Sequence, residues 1–188
     1  MGLYIHSLQN VPTNTTRGYF IYLLDYGWNE PLGAAVMANY ERMAAIAAEN
    51  NAVVIKGTQE HFEDEVLSWH HINGENGDNI LPAILITNRH PREFRDRHHQ
   101  SGRNQSEEDL KMILLPLRKC CNNTTDVIAL IDKIFNDIRK QKDLTDFRVA
   151  KEMKKGVGKA IADAIVLEPN FMGIGFSFNR LMDFFAKK

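Results

Sequence analysis

The sequence predicts an α/β fold, and three observations predict it. Apolar runs of strand length recur at Gly18–Tyr26, Ala52–Lys56, Ala83–Thr87 and Met112–Leu117. Stretches with apolar residues at helical spacing separate the early runs, which is the pattern of a parallel β-α-β arrangement. The bulk numbers agree: 188 residues, 44% hydrophobic and 25% charged, describe an ordinary globular chain of one domain. A net charge of −1 argues against a dedicated nucleic-acid binder, which carries a basic excess. No apolar run reaches the roughly 20 residues that cross a bilayer, so a membrane partner is not expected.

Leu3–Leu8 begins the chain as a short strand and Gln9–Arg17 follows as a polar loop. Gly18–Tyr26 is almost continuously aromatic and aliphatic, as in a strand covered on both faces. Pro31 suits a first helical turn, and Leu32, Val36, Tyr40, Met43 and Ala47 then recur as one helix up to Asn50. Ala52–Lys56 is a strand. Thr58 is placed to cap a helix carrying Phe62, Val66 and Trp69. Asn73–Asn79 reads as a turn-rich loop, Ala83–Thr87 as a strand, and 88–110 as an exposed polar insertion. Met112–Leu117 is expected to pair antiparallel with the strand before it. Asn123 or Thr124 opens a helix that buries Val127, Ile131, Ile134 and Ile138. These elements make a domain of residues 1–142. Residues 143–188 read as an extension in which 146–166 is helical and Met172–Phe178 alternates like a strand.

The segment Trp28-Asn29-Glu30-Pro31-Leu32, between a buried strand and a long helix, resembles the Trp-Cys-Gly-Pro-Cys motif of the thioredoxin family. Ile80-Leu81-Pro82-Ala83, ahead of an apolar strand, is similar to that family's cis-proline segment. The resemblance spans about residues 1–140. It implies a thioredoxin-like central mixed sheet flanked by helices, to which the sequence adds a basic helical C-terminal extension. It also implies a cis Leu81–Pro82 bond and a peptide-holding groove between Trp28 and Pro82. Asn29 and Leu32 occupy both cysteine positions of the motif. Thiol–disulfide exchange needs a thiolate there, so a redox enzyme is not expected.

The only cysteines, Cys120 and Cys121, are adjacent, which suits a reducing cytoplasm better than a secreted disulfide scaffold. They read as small residues closing a strand, one of them buried, on the far side of the fourth strand from the Trp28 motif. His70-His71, His90 and His98-His99 lack the i, i+3 or i+4 spacing of a metal site, so no metal or other cofactor is expected. Glu60, Glu63, Asp64 and Glu65 read as the solvated face of one short helix.

Arg92, Arg95 and Arg97 dominate the insertion, and guanidinium forks suit phosphate or carboxylate groups. That keeps open a nucleotide or nucleic-acid ligand and an alternative function, a phosphoester hydrolase or nuclease using Arg and His residues of 88–110. The opposing reading is a solvated loop paired internally with Glu107–Asp109. From Arg139 to Lys159 eight basic residues face three acidic ones. This basic stretch can dock a protein or a second copy, touch a membrane surface, or fold back over the sheet edge. Pro169–Gly175 faintly resembles C-terminal segments of bacterial antiphage-defence proteins, which implies a subunit of such a system. The expected function is non-catalytic: a thioredoxin-like module for protein recognition or assembly. Its binding residues are Trp28, Asn29, Glu30, Pro31, Pro82, Arg92, Arg95 and Arg97, with the C-terminal extension as a second contact.

Overall fold

The computed structural model describes residues 1–27, 30–58, 61–73, 80–96, 110–154, 165–167 and 176–177. Its centre is a mixed sheet in the order β1 (Gly2–Ile5), β3 (Ala52–Gly57), β2 (Tyr19–Leu24), β5 (Ala83–Thr87), β6 (Met112–Pro116). The first three strands are parallel, while β5 runs antiparallel to both of its neighbours, β2 and β6. A short strand β7 (Ile165–Leu167) lies antiparallel on β6, and a separate pair joins β4 (Ile72–Asn73) to β8 (Phe176–Ser177). The chain is therefore α/β with helices on both faces of a mixed sheet.

All six residues of β2 are buried, and they divide by parity. Tyr19, Ile21 and Leu23 join one apolar cluster, while Phe20, Tyr22 and Leu24 join another. A strand sends successive side chains to opposite faces, so a strand covered twice must be apolar throughout.

On the first face lie α1 (Pro31–Ala38), α2 (Tyr40–Glu49) and α6 (Thr124–Arg139). The long helix α6 is capped by the Asn123 side chain, which accepts the Asp126 N–H at 3.0 Å. It buries Val127, Ile131, Ile134 and Ile138, the expected stripe, together with Phe135. The single helix expected over Pro31–Asn50 is two helices broken at Asn39, whose φ of −94° and ψ of 3° leave the helical region. The Asn39 side-chain amide donates to the Ala35 carbonyl at 2.8 Å, the local competition with helix bonding that asparagine offers.

The second face holds α3 (Phe62–Trp69), α4 (Pro91–Asp96) and a 3₁₀ turn, Leu8–Asn10. Thr58 does not cap α3; it bonds His6, and His61 in the left-handed region (φ 78°) precedes the helix instead. The expectation of an exposed insertion fails at its start. Pro91 and Phe94 are buried in α4, because the lone phenylalanine packs its ring on His70. Residues 97–109 lie outside the described part of the chain.

Past Arg139 the backbone turns under Asp137, a carboxylate only 1% exposed. It accepts Lys142 Nζ at 2.7 Å and the Arg148 backbone N–H. A 3₁₀ turn (Leu144–Asp146) and α7 (Arg148–Lys154) then place Leu144, Phe147, Val149 and Ala150 in the first cluster. Of the helix expected over 146–166, residues 148–154 are helical and 155–164 lie outside the described residues, while Ile165–Leu167 is strand, its β-branched residues suiting the open edge of β6. Pro169–Gly175 lies outside the described residues.

Candidate functional site

Strand direction selects one end of the sheet. Because β5 is antiparallel to both β2 and β6, the last residues of β2, β3 and β6 emerge at the same end. Leu24 pairs with Ala83, so the segment leaving β2 and Pro82 entering β5 lie side by side. The Leu81–Pro82 peptide is cis. Pro82 is itself buried, and its carbonyl accepts the Leu117 N–H at 2.8 Å. It contributes backbone support to this end more than open surface.

Glu30, partly buried, and the exposed Pro31 form the start of α1. Glu30 occupies the N-cap position without capping through its side chain, and Pro31 fills the first turn, where its missing N–H costs nothing. The Glu30 carboxylate instead takes a forked bond from Arg118 on α5 (Leu117–Cys120), with Nε at 3.0 Å from both oxygens and Nη2 at 2.7 Å. Such a fork fixes orientation as well as charge, and it ties the turn after β6 to the first turn of α1. Trp28 and Asn29, the other expected binding residues here, lie outside the described residues.

Beneath this rim sit two carboxylates. Asp25 Oδ1 accepts the Gly27 N–H at 3.1 Å, and its carboxylate lies against Gly33. A Cβ added at Gly33 would stand 2.4 Å from Asp25 Oδ2, so only glycine lets α1 come this close. Glu63, expected on a solvated face, is 6% exposed. The first turn of α3 points it inward, where it accepts backbone N–H bonds from its own residue and from Asp25. Burial raises its pKa, the two N–H bonds oppose that, and the Asp25 and Asp64 charges add to the rise. Asp64 accepts the Tyr26 hydroxyl at 2.8 Å.

The position expected for the cysteine pair is corrected. Since β6 runs parallel to β2, Cys120 and Cys121 follow β6 at the Pro82 end, one helical turn from Arg118, and not on the far side. Cys121 is buried, and burial pushes its thiol up to about 11, which leaves it protonated and inert at neutral pH.

Arg92 and Arg95 of the insertion stand apart from this end. Thr87 pairs with Phe20, so the chain leaves β5 at the opposite edge of β2 before entering α4. Arg92 Nη2 donates to the Gln9 carbonyl at 3.1 Å. Arg95 pairs with Asp96 at 2.6 Å and stacks 4.5 Å from the centre of the Trp69 ring. Arg97 lies outside the described residues, as do His98 and His99. Among the described residues no group of three or more His, Cys, Asp or Glu is placed to hold a metal ion.

The expected binding set therefore divides into a Glu30–Pro31–Pro82 group and a separate arginine group. Sequence reading missed Arg118. The signal was available in strand direction: once β5 is antiparallel to two neighbours, the residues after β6 must return to the Pro82 end. No family model, characterised protein or solved structure matches the chain.

Proposed function

We propose that this chain is a non-catalytic, thioredoxin-like module for protein recognition or assembly. The observation that carries the reading is the juxtaposition at one end of the sheet. A buried strand, β2, ends beside Pro82 at the start of the adjacent strand, and Glu30 and Pro31 open α1 six residues further along the chain. That is the arrangement the thioredoxin resemblance implies for its motif and its proline. Asn29 and Leu32 stand where that motif has its thiols, so the end would bind without exchanging disulfides. Glu30, Pro31 and Arg118 supply its polar rim. The cellular setting offered is a cytoplasmic subunit of a defence assembly, with the region after 143 as a second contact.

The test is co-purification of the tagged full chain from native cytoplasm. A stoichiometric partner is expected, and combining Pro31→Ala with Arg118→Glu should reduce its recovery at least tenfold. Cys120→Ser with Cys121→Ser should leave recovery unchanged. Recovery that ignores the rim substitutions, or that needs the cysteines, would overturn the reading.

A further inference from the structure

The second face of the sheet contains a histidine that the proposed function does not use. His70 follows α3 and is 0% exposed. Its ring lies between the Tyr22 ring of β2, 5.0 Å away, and the Phe94 ring of α4, 4.8 Å away. Nδ1 stands 2.7 Å from the Val66 carbonyl. A carbonyl only accepts, so Nδ1 carries the proton and the neutral ring leaves Nε2 as a bare acceptor. Among the described residues Nε2 has no hydrogen-bond partner, and neither does the hydroxyl of Tyr22, which has Thr87 of β5 beside it outside bonding geometry.

A proton arriving at Nε2 would create a charge and an unpaired donor among aromatic rings. The titratable groups that face or adjoin the ring are Tyr22 from β2 and His71 next in the chain, and neither is a carboxylate. From α4 the facing group is the apolar Phe94. His90 shares the layer, with its ring edge-on to Phe20 at 5.6 Å. A buried cation without a counter-charge costs several kcal/mol, which the fold avoids by moving the group into water.

We propose that His70 is the latch of an acid-sensitive layer, such that proton uptake at Nε2 releases the end of α3 together with α4 from β2 while the rest of the sheet stays folded. The two helices would move together because two contacts join them without His70. His71 Nε2 donates to the Phe94 carbonyl at 3.0 Å, and the Arg95 guanidinium lies over Trp69. The His71 bond already uses an N–H, so protonation leaves it intact. What the movement exposes is the apolar lining of that face, Tyr22, Val66 and Phe94.

Burial is the main cause that lowers His70 from 6.5 to about 4, helped by His71 and opposed by the Val66 bond. A lowered histidine favours the closed form fully above pH 6.5, and that preference is lost as pH falls towards 4. With one proton linked to opening, the opening constant should rise about tenfold for each pH unit over this window.

Amide exchange of the full chain, normalised to intrinsic rates, measures this residue by residue, alongside the His70 ring nitrogen shifts. The expected result is that 66–71 and 91–96 open progressively from pH 6.5 to 4 while 127–138 does not, and that His70→Phe removes the slope. Uniform opening of all segments, a flat profile in the native chain, or an unchanged slope in His70→Phe would overturn the proposal. Should that variant fail to fold, the ring shifts decide alone: a folded-state titration near 6.5 would overturn it, and one displaced towards 4 supports it.

Discussion

The two helical layers cover the same sheet with opposite chemistry. On the first face, α6 runs for 16 residues and its buried surface is an apolar stripe. Asp137, the one buried charge there among the described residues, is met by Lys142 and an Arg148 N–H. On the second face, α3 and α4 have 8 and 6 residues, and the layer buries Glu63, His70 and Thr87 among its aromatics. Four buried side-chain polar atoms lack a hydrogen-bond partner among the described residues, on Tyr22, His70, His90 and Arg92, and all lie in this layer. Stability is distributed unevenly where helices are short and polar groups are buried, so the second face is the one expected to open first. The two faces of β2 are equally hydrophobic. What differs is what was laid against them.

The largest effect should come from the first face. Phe135→Ala removes a 2% exposed ring from the cluster under α6 and should cost about 3–5 kcal/mol, lowering the global unfolding midpoint in urea. A variant that loses protection only around α6, with the midpoint unchanged, would break the comparison.

A smaller effect is expected where α3 meets β3. A Cβ at Gly57 would stand 2.4 Å from the Phe62 ring, at the very start of the second layer. Gly57→Ala should cost about 1–3 kcal/mol through this overpacking, and should speed amide exchange in α3 before it speeds exchange in α6. Faster exchange in both layers together would mean that they are one cooperative unit.

The smallest effect belongs to Arg42–Asp132, which joins α2 to α6 with both side chains nearly half exposed. Arg42→Ala should change stability by no more than about 0.5 kcal/mol in the same urea series, since solvent screens such pairs. A larger loss would show that ion pairs, and not the apolar stripe, hold the first layer.

The first layer was legible in the sequence because its signal is periodic. The spacing of Val127, Ile131, Ile134 and Ile138 is enough to name the buried face of α6, and the parity of β2 names both clusters. The second layer was not legible, because single residues decide it. Phe94 stands alone in a polar run and Glu63 in an acidic one, and no period marks either as buried. The helix expected through residue 166 does not reach it, since the open edge of β6 takes Ile165–Leu167 as strand. At the candidate site, Glu30 and Pro31 were read from the motif, but Arg118 needed the strand directions, which are a tertiary property.

The most direct test of the central claim installs what the sequence omits. In a Cys120→Ser, Cys121→Ser background, Asn29→Cys with Leu32→Cys places two thiols at the start of α1, where a helix N-terminus favours a thiolate. Thiol titration and insulin reduction by dithiothreitol would then be measured on the folded variant. A thioredoxin-like scaffold predicts an intramolecular disulfide between 29 and 32 and catalysed reduction above that of the native chain measured alongside. A folded variant whose two thiols stay free and inactive would contradict it.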